Sequence, residues 1–489
     1  MTEVIERHLK AHPEDLEGRA RELVTGCVLQ MLDIELNKVQ TQTVYVLFPT
    51  TFENREAARE RGFQGERIGE IGKLLEDLGH DAAADLMAGM STIEGAGRRP
   101  AFFRTPIEDW DDFLMFRYLR DRARSFWALG YLGSDYVPLA VLVARTFMHC
   151  AFSSPRPVSF TVWTRHQIDR IQERVDRGGG SRLQQALSKW YPLAKAIISS
   201  ANEDEEMAAG LRNRRSTRLV ELFADTVIGE LGPLGLAVPD VRPGPASDPA
   251  DEIYRNASDP VPAEMRARLV KLLKMHLSAE YTTAFMEKLR PPTAYDLAEW
   301  MQTIREEGEH GDGIVEILAD LGEDAQPIVY DMRFGEGRHL LDFFKVEIEN
   351  WDEVGVMRWL SECAAGYQSL AALGSRYVPF AVWSARNYID EGMEHAQIGR
   401  AIVENAINAG RRDDVQRLMW KRWPYVVDYF GNERPDNEYV VAGIKVRPNR
   451  ELRRRWLAVM QRDAAHLKLA MPPQPLKGVR ADYGMVPEA

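Results

Sequence analysis

Apolar side chains recur along most of this chain at intervals of three and four, with charged residues between them, which is the pattern of amphipathic helices. From Tyr295 to Leu321, the residues Leu297, Met301, Ile304, Val315 and Leu318 fall at helical spacings, and Gly322 stands where a C-cap is expected. The segment from Trp351 to Leu373 reads the same way. Alternating patterns are scarce, and Tyr439 to Val446 is the best candidate for a short extended piece. The expected fold class is all-α.

The stretch from Pro233 to Pro262 breaks the helical pattern, because its Pro, Gly, Ala and Asp content does not sustain a helix. It divides the chain nearly in half, and the halves resemble each other. A segment starting at Trp110 aligns without gaps on one starting at Trp351, an offset of 241 residues. Tyr136-Val137-Pro138 then falls on Tyr377-Val378-Pro379, and Ala144-Arg145 on Ala385-Arg386. Upstream, Lys73 to Gly79 matches Glu316 to Gly322. Two copies of one helical fold, packed as a pseudo-dimer, are the economical reading. The expected boundaries are a first domain over 1–235, a linker over 236–262 and a second domain over 263–489.

Composition narrows the function classes. The 489 residues carry a formal net charge of -12, with 45% hydrophobic and 28% charged residues. That balance is ordinary for a globular protein and argues against nucleic acid as the main partner. Cys27, Cys150 and Cys363 are far apart and form no disulfide framework, which fits a reducing, cytoplasmic setting. The N-terminus has no apolar signal core, and no apolar run is long enough to suggest a membrane span.

Candidate chemistry concentrates in the second half. Glu307 and His310 form a Glu-x-x-His pair within a predicted helix, so both project from one face and can grip one metal. Di-iron carboxylate bundles take such a pair from two helices and a single Glu from each of two others. A second candidate lies in YIDEGMEHAQIG, where Glu391 and His395 are four apart and Glu391 and Glu394 three apart. A single-turn π-bulge would realign Glu391 with His395; otherwise Glu391 and Glu394 form the pair. Glu280 and Glu362 lie on otherwise apolar helical stretches, where a carboxylate is costly to bury unless it is paired or bound to metal. Glu336 and His339 repeat the motif among glycines and are expected in a loop.

The first half departs from this pattern. Gln64 and Arg67 stand at the positions of Glu307 and His310, and Cys150, Ser153 and Ser154 at those of Glu391, Glu394 and His395. Asp121, opposite Glu362, and Glu35, opposite Glu280, stay acidic. A degenerate, metal-free packing partner is expected there.

These residues resemble a known family, the phenylacetic acid catabolic oxygenases. Between about Leu269 and Pro473, a helix with an inward Glu280 precedes the Glu307/His310 helix, which closes on Ala319 to Gly322. Trp359-Leu360-Ser361-Glu362, the Ser375 to Pro379 segment, the Glu391 helix and the stretch from Arg422 to Gly431 follow in the family's order. The second half resembles the catalytic A subunit of phenylacetyl-CoA epoxidase, and the first half its metal-free structural C subunit. The resemblance implies two tandem ferritin-like helical bundles. It further implies two iron ions, with manganese as the alternative, and dioxygen as co-substrate. One oxygen atom would enter a substrate such as an aromatic acyl-CoA thioester, with electrons from a flavin/iron–sulfur reductase. The implied ligands are Glu280, Glu307, His310, Glu362, Glu391 and His395. His395 falls one residue later than the family spacing, which keeps Glu394 as its substitute. The family enzyme is normally assembled from separate chains, so a fused chain suggests another pathway. Rival readings are a di-iron oxidase of a carrier-bound or small-molecule intermediate and a non-catalytic scaffold subunit. Assembly into a homodimer is a further expectation left open.

Overall fold

The computed structural model describes residues 13–41, 68–82, 84, 100–151, 162–244, 246, 251–255, 257–284, 291–334, 342–431 and 438–479. Among them the regular structure is helical and no strand forms, and an isolated parallel bridge joins Tyr254 to Tyr377. The chain is all-α and carries two tandem copies of a ferritin-like helical fold. Its described residues divide into two compact units that meet in sequence between Glu252 and Ile253. No described helix is long and apolar enough to cross a membrane.

The longer helices of the first unit are α1 (Gly18–Thr41), α2 (Trp110–Tyr131), α3 (Val137–Ala151), α4 (Val162–Arg174), α5 (Gly180–Ile198) and α6 (Ser216–Leu231). Those of the second are α7 (Ala263–Ala284), α8 (Ala294–Asp320), α9 (Trp351–Ala372), α10 (Val378–Asn387), α11 (Ala396–Asn408), α12 (Arg412–Val427) and α13 (Asn449–Leu467).

The sequence repeat is visible in how α2 and α9 begin. Asp109 accepts the Asp112 amide at 2.8 Å, and Asn350 accepts the Glu353 amide at 3.0 Å, so each N-cap satisfies an otherwise orphaned N–H. In return Asp112 accepts from the Glu108 amide and Glu353 from the Glu349 amide. Both helices are buried along nearly their whole length and form the centre of their units.

Two expectations are corrected. The segment Tyr439 to Val446 is not extended: Glu438–Val441 is a single helical turn, followed by a turn in which Gly443 has φ +71°. Glycine supplies that left-handed conformation at no steric cost, and the turn overrides the β-prone valines. On α8, Leu297 and Met301 do not join the core, being 48% and 61% exposed. The buried face runs instead through Trp300, Thr303, Glu307, His310, Ile314 and Ile317. The apolar stripe in the sequence therefore misplaced the inner face of α8, because three of its inward positions, Thr303, Glu307 and His310, are polar. The end of α8 is as expected: Gly322 has φ +75°, and Glu323 N–H donates to Leu318 C=O at 2.8 Å to close the helix.

Tyr254 lies within the Pro-rich stretch. Tyr254 is buried in the core of the second unit, donates its N–H to Arg376 C=O and accepts from Val378 N–H, both at 2.8 Å.

Candidate metal centre

Four helical segments deliver acids to one place in the second unit. Glu280 comes from α7, Glu307 and His310 from α8, and Glu362 from α9. Glu391 and His395 come from Tyr388–His395, a π-helical segment joining α10 to α11. There the Ala396 N–H donates to Glu391 C=O, five residues back, so one extra residue is accommodated within a turn. This is the realignment that a spacing of four needs. His395 is buried, whereas Glu394 is exposed and belongs to neither group of potential ligands.

Glycine makes the segment fit. A Cβ on Gly366 of α9 would lie 2.6 Å from Gly392 Cα, and one on Gly392 would lie 3.0 Å from Gly366 Cα. The two backbones touch where the π turn bulges, and any larger residue would push the segment off α9.

Glu280, Glu307, His310 and Glu391 form one group, and Glu307, Glu362 and His395 a second; within each, the potential ligand atoms lie within 4.8 Å of one another. Glu307 belongs to both. All six side chains are buried. His310 Nδ1 lies 3.4 Å from Glu280 Oε2, and His395 Nδ1 lies 3.4 Å from Glu307 Oε1. None of these four atoms has a hydrogen-bond partner. Buried polar atoms are seldom orphaned, so four that face one another suit a bound cation. Two lone-pair nitrogens and a shared carboxylate form a donor set that suits a pair of divalent metal ions.

The outer nitrogens are held reciprocally. His310 Nε2 lies 2.8 Å from Asp390 Oδ2, and His395 Nε2 lies 2.8 Å from Glu306 Oε2. Each supporting carboxylate immediately precedes a candidate ligand, Asp390 before Glu391 and Glu306 before Glu307, and each grips the imidazole of the other helix. Such contacts fix ring orientation and leave Nδ1 facing the centre. Arg386 pairs with Glu309 and lies 3.5 Å from Asp390. Asn387 Nδ2 donates to Glu391 Oε1 at 2.6 Å, and Trp383 Nε1 to His310 C=O at 3.0 Å. Sequence reasoning had overlooked Glu306, Asp390 and Asn387. The acid preceding each candidate Glu was a readable signal for the first two.

The electrostatics agree with that picture. Burial, then the neighbouring Glu391, pushes the Glu280 carboxyl well above its ordinary range; burial and Glu307 do the same to Glu362. Burial opposes the charging of His310 and His395, but their carboxylate partners outweigh it and raise His310 well above the ordinary value and His395 to about 10. Four carboxyl groups crowd two imidazoles in a buried site, where each resists being charged without a counter-charge, and bound dications would favour the ionised form of every acid.

In the first unit the corresponding acids have guanidinium neighbours. Arg124 pairs with Glu35, and both are buried. Arg120 Nε donates to Asp121 Oδ1 at 2.7 Å, and Gln167 Nε2 to Asp121 Oδ2 at 3.0 Å. A fixed positive charge thus lies against each acid that stands opposite a candidate ligand. Gln64, Arg67, Ser153, Ser154, Glu336 and His339 lie outside the described residues, as does the side chain of Cys150.

A cavity of about 290 Å³ adjoins the cluster. Glu280, Glu307, Glu362 and Glu391 line it, Leu272, Met275, Phe343, Met357 and Phe430 contribute apolar wall, and Gln368, Lys445 and Asn449 line it as well.

A family model described as phenylacetic acid catabolic protein matches the chain twice, over residues 72–275 and again over 292–482. No curated protein matches it.

Proposed function

The chain belongs to the phenylacetic acid catabolic protein family, and from that premise we propose that its second unit is a di-iron oxygenase that oxidises an organic substrate held in the adjoining cavity. The observation that carries the proposal is the set of four orphaned polar atoms, Glu280 Oε2, Glu307 Oε1, His310 Nδ1 and His395 Nδ1, facing one another in the interior.

Glu280, His310 and Glu391 would hold one metal ion and Glu362 and His395 the other, with Glu307, common to both groups, available to each. Bound iron, or manganese in its place, would supply the redox and Lewis-acid chemistry that activates dioxygen. Asp390 and Glu306 keep both imidazoles oriented with Nδ1 inward. Asn387 holds the Glu391 carboxylate, and the apolar wall restricts water beside the reacting atoms. Inserting one oxygen atom while the other leaves as water consumes two electrons, so a separate reductase of flavin/iron–sulfur type is part of the proposal. An aromatic acid or its CoA thioester is the substrate class that the family name favours.

The first unit fits a structural role. Its acids at the matching positions are neutralised by Arg124 and Arg120 rather than left facing one another.

The test is to reduce iron-loaded protein chemically, admit ¹⁸O₂ with phenylacetate or phenylacetyl-CoA, and analyse the products by mass spectrometry. The proposal predicts a product carrying one labelled oxygen from one of the two. Absence of labelled product from both, in protein shown to hold iron, would count against it.

A further inference from the structure

The cavity contains a charge that the metal-centre reading does not use. Lys445 follows the turn at Gly443 and is only 5% exposed. Its ammonium donates to Gln368 Oε1 and, at 3.3 Å, to Asn449 Oδ1, and it lies 5.6 Å from the ring of Tyr439. All of these partners are neutral. The other acids that line the cavity are engaged elsewhere: Asp342 with Lys345, Asp428 with the Val479 amide, and Glu438 near Arg268. Among the described residues, no carboxylate pairs with Lys445.

A buried lysine without a counter-ion is costly, and burial alone pulls its pKa down to about 7. Its neighbour His276 is driven to about 3, by burial first and by Lys445 second, and so adds no charge. The same side chain lines the cavity that Glu280, Glu307, Glu362 and Glu391 also line. Glu362 and Gln368 are six residues apart on α9, about 9 Å along the helix axis. That span accommodates one aromatic ring, or a short alkyl chain, with a head group at the lysine and a carbon at the metal end.

We propose that Lys445, steadied by Gln368 and Asn449, is the recognition point for the free carboxylate of a small organic acid, which orients the acid's far end toward the candidate metal centre. This deepens the oxygenase reading and rests on it for the reaction, but not for binding. A carboxylate supplies the missing counter-ion and forms a charge-assisted hydrogen bond. A neutral amide of the same shape supplies only the hydrogen bond. A CoA thioester presents a carbonyl without charge and must thread its pantetheine arm out of the cavity.

The probes are phenylacetate, the acid in the family's name, its neutral isostere phenylacetamide, and phenylacetyl-CoA, with binding measured by titration calorimetry. The wild-type chain is expected to bind the acid about tenfold or more tightly than the amide. Lys445→Met removes the charge, and Gln368→Glu installs an internal counter-ion beside an intact lysine. Each is expected to abolish the preference for the acid. Having two variants keeps the test decisive if one fails to fold, as judged by circular dichroism and thermal melting. Equal affinity of wild type for acid and amide, no binding of either, persistence of the preference in a folded variant, or tighter binding of phenylacetyl-CoA than of the free acid would each overturn the assignment. None of these measurements needs iron. A chain that prefers the acid but holds no metal would refute the oxygenase reading while leaving the carboxylate site standing.

Discussion

Asp390 Oδ2 lies 2.8 Å from His310 Nε2, across from the helix that carries the imidazole. Glu306 stands in the same relation to His395, at the same distance. The two candidate His-bearing segments therefore brace each other, each lending the acid next to its own glutamate to the other's histidine. The arrangement leaves both Nδ1 atoms facing the carboxylates without a hydrogen bond.

Replacing either brace should loosen one imidazole without removing a ligand. Asp390→Asn or Glu306→Gln is expected to weaken metal binding about 10–100-fold. Competition against a chromophoric chelator measures this. Unchanged affinity in both variants would mean that the braces do not orient ligands.

The contact between Gly366 and Gly392 sets the path of the π turn. Gly366→Ala places a Cβ 2.6 Å from Gly392 Cα, where only backbone movement gives relief. It is expected to lower stability by about 1–3 kcal/mol, read from denaturant unfolding, and to reduce metal retention with it.

Some of this was legible in the sequence, and some was not. The Glu307/His310 pair could be read because its spacing of three matches one helical turn. The His395 position remained open because the choice between an ordinary and a π turn depends on Gly392 meeting Gly366, a contact between residues far apart on different elements. The inner face of α8 was misjudged because hydrophobicity marks an inner face only when that face is apolar, and here Glu307 and His310 occupy it. The Tyr439–Val446 stretch misled because β-branched residues outweighed Gly443 in a local reading, whereas the turn at Gly443 brings Lys445 into the cavity.

In the first unit, Arg124 neutralises Glu35 in the interior. Arg124→Met would remove a buried charge partner of Glu35 and is expected to cost up to about 3–5 kcal/mol. Arg124→Met combined with Glu35→Gln should recover most of that loss, and neither should change iron content. Iron loss in the folded double variant would assign this unit a part in metal binding.

Lys445 also predicts a pH dependence of stability. Its pKa is about 7 in the folded chain, against an ordinary value of 10.5. Between those values the unfolded chain binds more protons at this residue, so its contribution to stability rises with pH. Lys445→Met removes the penalty. Its melting temperature should therefore exceed that of wild type most at pH 7 and below, and the gap should close as pH approaches 10. A gap independent of pH would show that Lys445 is not buried as a charge.

The most direct test of the account is iron content. The protein is loaded anaerobically with Fe(II), desalted and exposed to air while its visible spectrum is followed. About two irons per chain and a diferric spectrum are expected, with retention by Glu394→Gln and loss in Glu307→Ala and His395→Gln. A chain that retains no iron, or a Glu307→Ala variant that retains as much as wild type, would contradict the assignment of this cluster as a di-iron centre.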